Sequence, residues 1–145
     1  LETVASGPNI VRRVREKVFS DPALSVSKLA AEMEGTLTLQ RIIEAAVDGD
    51  ELAQTVLKET GAYLGAALAN VINLLNIELV VIGGPVMTAG RVILEAIRAE
   101  TQKHSFTMSF ECCRFVMGQL GQDAGIVGAA MLAWSDAEPN CQWSS

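Results

Sequence analysis

Aromatic side chains are scarce in this chain: they make up 5% of 145 residues, although half of the sequence is hydrophobic. A core must therefore be assembled from Ala, Val, Leu and Ile, which suits helices packed on a sheet. Positive charge is short as well. A net charge of −6 argues against a nucleic-acid surface within these residues, because such surfaces need clustered Lys and Arg to displace counterions from phosphate. The basic cluster Arg12, Arg13, Arg15 and Lys17 stands beside Glu16 and Asp21 and reads as a solvated helix face. Cysteine is limited to Cys112, Cys113 and Cys141, an odd count without metal-ligand spacing, so no disulfide framework follows. Strand neighbours face opposite ways, which puts one of the adjacent pair in the core and leaves the other partly exposed. Long apolar runs are missing too. The most apolar stretch, Ala62 to Val86, is broken by Asn70, Asn73, Asn76 and Glu78, so no membrane span or membrane partner is expected. Leu1 opens into ordinary sequence with no basic n-region or apolar h-region, and the expected compartment is the cytoplasm. The single histidine, His104, sits in Lys103-His104-Ser105 at the polar end of a helix, where favourable interaction with terminal carbonyls accounts for it and catalysis does not.

The length fits one ordinary domain. Ile10, Val11, Val14 and Val18 recur at helical spacing, predicting a helix over 8–19 with Pro8 at its permissive start. Asp21-Pro22 breaks it, and Ser25 is placed to cap a short helix through Met33. Thr38 caps a third helix, Leu39 to Val47, closed by Asp48-Gly49. Asp50 then opens the longest element, running to about Leu75, with Leu52, Val56, Tyr63, Ala67, Val71 and Leu74 expected on its buried side. Gly61 and Gly65 lie one turn apart within it. Glycine weakens a helix interior by about 1 kcal/mol relative to Ala, so this pair points to close approach of another backbone.

Leu79-Val80-Val81-Ile82 is a β-branched run stopped by Gly83-Gly84-Pro85 and reads as a buried parallel strand. A helix from Thr88 or Ala89 to Lys103 follows, with Val92, Ile93, Ala96 and Ile97 inward. Ser109 to Met117 is expected to be a second strand, parallel and adjacent to the first through a right-handed crossover. Gly121-Gln122-Asp123-Ala124-Gly125 turns the chain into a last helix, Ala124 to Trp134, whose Gly125, Gly128, Ala129 and Ala130 permit close packing. Residues 1–136 form the domain and 137–145 a loose tail. Two strands are too few for a self-sufficient parallel sheet.

Several of these segments share a resemblance. Leu1-Glu2-Thr3-Val4-Ala5-Ser6-Gly7-Pro8-Asn9-Ile10, Gly61-Ala62-Tyr63-Leu64-Gly65 with Asn70-Val71-Ile72-Asn73, Val80-Val81-Ile82-Gly83-Gly84, and Leu120-Gly121-Gln122-Asp123-Ala124-Gly125 with Gly128-Ala129-Ala130 together resemble the ROK family of repressors and sugar kinases. The resemblance covers Leu1 to about Ala133. It implies the C-terminal part of an α/β, actin-like ATPase (ribonuclease H-like) domain, helix-rich with two parallel strands. It also implies a chain that starts partway through, with the phosphate-binding loop, the catalytic Asp and the zinc ligands upstream. No catalytic residue and no metal ligand is carried over. Zinc, and in the kinases ATP with magnesium, belong by this resemblance to the full-length protein and not to this chain.

Three sites match the family's pattern. Glu2 matches a carboxylate that hydrogen-bonds sugar hydroxyls, a task suited to two acceptor oxygens; an exposed chain-end Glu is the plain alternative. Gly83 and Gly84 match the loop beside the adenosine, where a missing Cβ admits a ligand; a strand-ending turn explains them equally well. Asp123 matches a turn in which it serves as a helix cap. The functions implied are the sugar-sensing portion of a NagC-like transcriptional regulator, the corresponding portion of a glucokinase-like sugar kinase, or an oligomerisation module without ligand. Pro85, where kinases of the family have a third glycine, tips the balance to the regulator. The implied partners are a sugar or sugar phosphate, DNA only through an N-terminal domain outside this chain, and a second copy in a homo-oligomer. The isolated chain is expected to lack kinase activity.

Overall fold

The computed structural model describes residues 1–20, 29 and 37–137. A single helical turn, α1 (Glu2–Ala5), leads into α2 (Gly7–Ser20), which buries Ile10 and Val14 and exposes Arg12 and Arg15. The expected helix from Ser25 to Met33, and the tail after 137, lie outside the described residues. α3 (Leu39–Val47) starts where Thr38 Oγ1 accepts the Arg41 N–H at 3.3 Å. α4 (Glu51–Leu75) starts where Asp50 Oδ1 accepts the Ala53 N–H at 2.9 Å. In both cases a short polar side chain satisfies an amide that the first helical turn leaves without a partner. Asn76 ends α4 in the left-handed region, at φ 47°.

α4 buries Leu52, Ala53, Val56, Leu57, Thr60, Gly61, Gly65, Ala69 and Ile72. Of the residues expected inside, Tyr63, Val71 and Leu74 are exposed, Leu74 by 82%. The small residues, not the bulky ones, decide which side is covered. A Cβ on Gly61 would stand 2.6 Å from Ala96 Cβ, and one on Gly65 would stand 2.5 Å from the Ile97 carbonyl oxygen. Both neighbours belong to α5 (Arg91–His104), whose Ile93, Ile97 and Thr101 are buried. The Thr101 hydroxyl lies 3.1 Å from the Gly65 carbonyl and 2.8 Å from that of Ile97, so its one proton bridges the two helices where their backbones meet.

Between these helices runs β1 (Leu79–Ile82), followed by a 3-10 turn over Pro85–Ala89. After α5 come α6 (Thr107–Cys112) and β2 (Arg114–Met117). β1 and β2 pair in parallel, from Leu79 opposite Arg114 to Ile82 opposite Met117. The strand expected from Ser109 is thus half helix. Ser109-Phe110-Glu111-Cys112 holds no β-branched residue, and the Phe110 N–H bonds to the Phe106 carbonyl at 3.0 Å. Cys112 is exposed and Cys113 buried because the helix ends between them, not because a strand alternates. Of β1 only Val80 is buried; Leu79 and Val81 are exposed, so the expectation of a fully buried strand is corrected. A second 3-10 turn, Gly121–Asp123, precedes α7 (Ala124–Ala137). None of the described side chains of α7 is buried, and a Cβ on Gly125 or Gly128 would meet nothing within 4 Å.

The main core joins Ile10 and Val14 of α2, Ile42 of α3, Leu57 of α4 and Ile93 and Ile97 of α5. A smaller cluster of Ile72, Val80 and Cys113 fastens the strand pair to α4. Arg13 departs from the solvated face expected of its cluster. Its side chain is only 11% exposed and is ion-paired with Glu59, which Lys17 Nζ also reaches at 2.8 Å. Burial pushes the Glu59 carboxyl up, but the hydrogen bonds and charges of Lys17 and Arg13 outweigh this and hold it below its ordinary value.

Two kinds of glycine give opposite expectations. Gly65→Ala forces a Cβ into α5 backbone and should destabilise the chain by about 1–3 kcal/mol. Gly128→Ala fills open space in a helix and should stabilise by about 0.5–1 kcal/mol. Thermal melts of the two variants check this, and a Gly65→Ala variant as stable as the parent would overturn the packing account. Glu59 makes a second prediction. Its folded-state pKa is depressed, so its contribution is complete above the unfolded carboxylate value and is lost as pH falls through the folded one. Glu59→Gln should cost no more than about 1 kcal/mol near neutral pH, since solvent screens a pair this exposed. The variant's stability should also fall less on acidification than the parent's, which a pH series of melts would read.

Candidate functional site

Parallel strands bring their carboxyl ends side by side, and ligands of α/β sheets sit outside that end. Here β1 runs into Gly83-Gly84-Pro85 and β2 into Gly118. The Gly118 N–H donates to the Ile82 carbonyl at 2.9 Å, and a Cβ on Gly118 would lie 3.7 Å from Gly83 Cα. Gly84 adopts φ 101°, a conformation that L side chains rarely take, and its carbonyl accepts the Met87 N–H at 3.1 Å. Turn geometry therefore accounts for Gly84. Gly83 has no such requirement: its φ is not in the left-handed region, and a Cβ there would meet nothing within 4 Å. Pro85 opens the 3-10 turn and offers no N–H. Across the strand ends, Gly121 at φ 52° begins the turn that holds Asp123, which is exposed.

Glu2 stands in α1, exposed. Its carbonyl accepts Asn9 Nδ2 at 3.2 Å and the Ser6 N–H at 3.3 Å. Asn9 Nδ2 also lies 2.8 Å from Ser6 Oγ. Arg13 Nη1 reaches the Val4 carbonyl at 3.4 Å and Thr60 Oγ1 at 3.0 Å, so one guanidinium ties the first turn to α4. The Tyr63 ring lies under it, 5.3 Å from the guanidinium carbon to the ring centre.

The sequence-predicted residues thus fall in two places. Gly83 and Gly84 follow β1 and approach Gly118 after β2, whereas Glu2 belongs to a turn packed on α2 and α4. Sequence reasoning passed over Arg13 and Asn9 as parts of the arrangement around Glu2. The available signal was helical spacing: Arg13 follows Ile10 by three positions and adjoins Val14, so it flanks the buried stripe. His104 closes α5, with Nε2 3.0 Å from Glu100 Oε1 and its carbonyl accepting Asn73 Nδ2 at 2.9 Å. An open groove of about 760 Å³ between α4 and α5, lined in part by Lys58, Glu95 and Lys103, includes none of the candidate residues. No group of three His, Cys, Asp or Glu able to hold a metal occurs among the described residues. No described helix is long and apolar enough to cross a membrane.

The comparisons with known proteins agree with this architecture. The model of the ROK family matches residues 1–136. A glucokinase from Halalkalibacterium halodurans is 36% identical over 132 residues, which cover 91% of this chain and 40% of that protein. A ROK family transcriptional regulator, described as a homolog of the Escherichia coli MLC protein, superposes with a TM-score of 0.79 at 32% identity over 92% of this chain and 33% of its own. A ROK family glucokinase from Streptomyces griseus, solved with glucose and AMPPNP, superposes at 0.78 with 29% identity, over 90% of this chain and 43% of its own. The chain therefore spans less than half the length of these relatives. With actin-like sugar kinases among its structural neighbours, its parallel strand pair in place and the family model running from its first residue to within α7, the chain belongs to the ROK family.

Proposed function

We propose that this chain is the C-terminal, sugar-sensing portion of a cytoplasmic ROK-family transcriptional regulator of the NagC type. The observation that carries the choice of regulator is Pro85. It follows Gly84 directly, fixes φ, and removes a backbone N–H from the loop where the resemblance puts the nucleotide. In this reading Glu2 accepts hydroxyl protons of a sugar or sugar phosphate, and Gly83 and Gly84 line the far side of the cleft. DNA is bound by a domain outside this chain, and zinc by residues outside it. A homo-oligomer is in keeping with the exposed apolar residues Leu79 and Val81 of β1 and Ile126 and Trp134 of α7.

A second reading has its own support. The glucokinase relatives align over nine-tenths of the chain, and Gly83 leaves open space that a nucleotide would fill. In a kinase this chain would contribute sugar and adenosine contacts, while the base and the phosphate loop would come from elsewhere.

Calorimetric titration of the full-length protein with hexoses and N-acetylated hexosamines tests the shared part. Glu2→Gln should weaken sugar binding by roughly 1–3 kcal/mol, the range for a charged hydrogen bond. Unchanged affinity would return Glu2 to a surface role. Regulator and kinase separate on ATP. Under the regulator reading the full-length protein does not turn ATP over with any sugar, and Gly83→Ala leaves sugar affinity intact. ATP-dependent phosphorylation of a hexose, impaired by Gly83→Ala, would establish the kinase instead. The isolated chain should be inactive in either case, because phosphoryl transfer needs base, metal and phosphate loop held together.

A further inference from the structure

We propose that Asn9 and Arg13 are positioning residues for Glu2: they hold the one-turn helix that presents its carboxylate, an inference that rests on the sugar-binding reading of Glu2 above. A helix of four residues cannot hold itself, since fixing the first turn costs more than its few hydrogen bonds return. α1 also buries none of its own residues. Its stability must come from outside, and the bonds that supply it are few. Asn9 Nδ2 bridges the Glu2 carbonyl and Ser6 Oγ, at 3.2 and 2.8 Å. Arg13 Nη1 takes the Val4 carbonyl at 3.4 Å while the same guanidinium binds Thr60 Oγ1 and Glu59 of α4.

Arg13 is itself braced, because the Thr60 hydroxyl is buried and donates to the Val56 carbonyl at 2.7 Å. A continuous path of hydrogen bonds thus leads from the interior of α4 to the turn that carries Glu2. The planar, five-donor fork of Arg serves three partners at once, which the single ammonium of Lys cannot reproduce at these angles. Fastening α2 to α4 is a separate job, done by Arg13 and Lys17 on Glu59 without any part for Asn9. Asn9 therefore separates positioning from general stability. It is partly exposed, and among the described residues its amide bonds to the first turn, Ser6 and Arg12 alone.

The test uses the full-length protein with Asn9→Ala, Arg13→Lys and Glu2→Gln, singly and with each of the first two combined with the third. Sugar titration is paired with hydrogen exchange at the Ser6 amide and with thermal melts. Asn9→Ala and Arg13→Lys are expected to weaken sugar binding roughly 2- to 10-fold, the range of one hydrogen bond. They should speed exchange at Ser6 and leave the α4 and α5 amides protected. Each double variant should bind no more weakly than Glu2→Gln alone, because a carboxylate already removed has nothing left to misplace. If Glu2→Gln weakens binding but Asn9→Ala and Arg13→Lys do not, or if the losses add in full, the positioning role is overturned and Glu2 keeps its own. If Glu2→Gln has no effect, the sugar reading of Glu2 fails and the inference falls with it.

Discussion

The contact of α4 with α5 is the constraint on which the rest of the chain depends. At Gly61 and Gly65 the two helices meet backbone to backbone, closer than any Cβ would allow, and Thr101 bridges their carbonyls at the same point. Everything else hangs from this pair. α5 is the crossover that sets β1 beside β2 in parallel, so its seat on α4 fixes where the strands lie. α4 in turn receives α2 and α3, and their buried residues share one core with α5 and with the 3-10 turn that packs on α3 and α5. The strands contribute little cohesion of their own: two parallel strands of four residues each lean on the helices through the small cluster of Ile72, Val80 and Cys113 and through half-buried Ile82 and Phe115.

Much of this was legible in the sequence wherever one residue has one physical job. Thr38 and Asp50 mark helix starts because a short polar side chain answers free amides, and both helices begin where those caps stand. The glycine pair of α4 pointed to a close approach that the structure shows, whereas the same argument applied to Gly125 and Gly128 of α7 meets open space. The strand ends were marked by Gly83-Gly84-Pro85. Where several residues compete for one job the sequence was ambiguous. α4 is apolar on more than one side, so Tyr63, Val71 and Leu74 had as good a claim to the interior as Ala69 and Ile72. Only the position of α5 decides between them. Phe110 and Cys113 suit a helix turn or a strand alike, and the tertiary contact of Phe110 with Phe115, 5.8 Å between ring centres, goes with the helix.

Arg13 is the most instructive miss, because charge patterning alone cannot tell a solvated arginine from one enclosed by a partner helix. Its neighbours Arg12 and Arg15 are exposed as the pattern suggests. Arg13 is enclosed because Glu59, Thr60 and Tyr63 happen to face it from a distant part of the sequence. The local sequence shows that Arg13 flanks the buried stripe of Ile10 and Val14, but not which partners enclose it. The candidate residues Glu2, Gly83 and Gly84 come from motif resemblance alone, and the hydrogen bonds that tie down the turn carrying Glu2 were not legible in the sequence.

The two halves of the candidate site differ in how completely the chain itself explains them. Around Glu2 the backbone is tied down by Asn9, Ser6 and Arg13, and each tie has a partner inside the chain. In the loop after β1 and along α7 the opposite holds. Gly83, Gly125 and Gly128 face open space, each giving up side-chain packing or helix propensity for no contact the described residues make. Leu79, Val81, Ile126 and Trp134 leave apolar surface on the same elements. A glycine without an internal reason and an apolar side chain without a cover call for the same thing, a surface supplied from outside these residues. That requirement fits a chain covering less than half of each relative's length, and it sets these glycines apart from those of α4, whose missing Cβ atoms are accounted for by the backbone of α5.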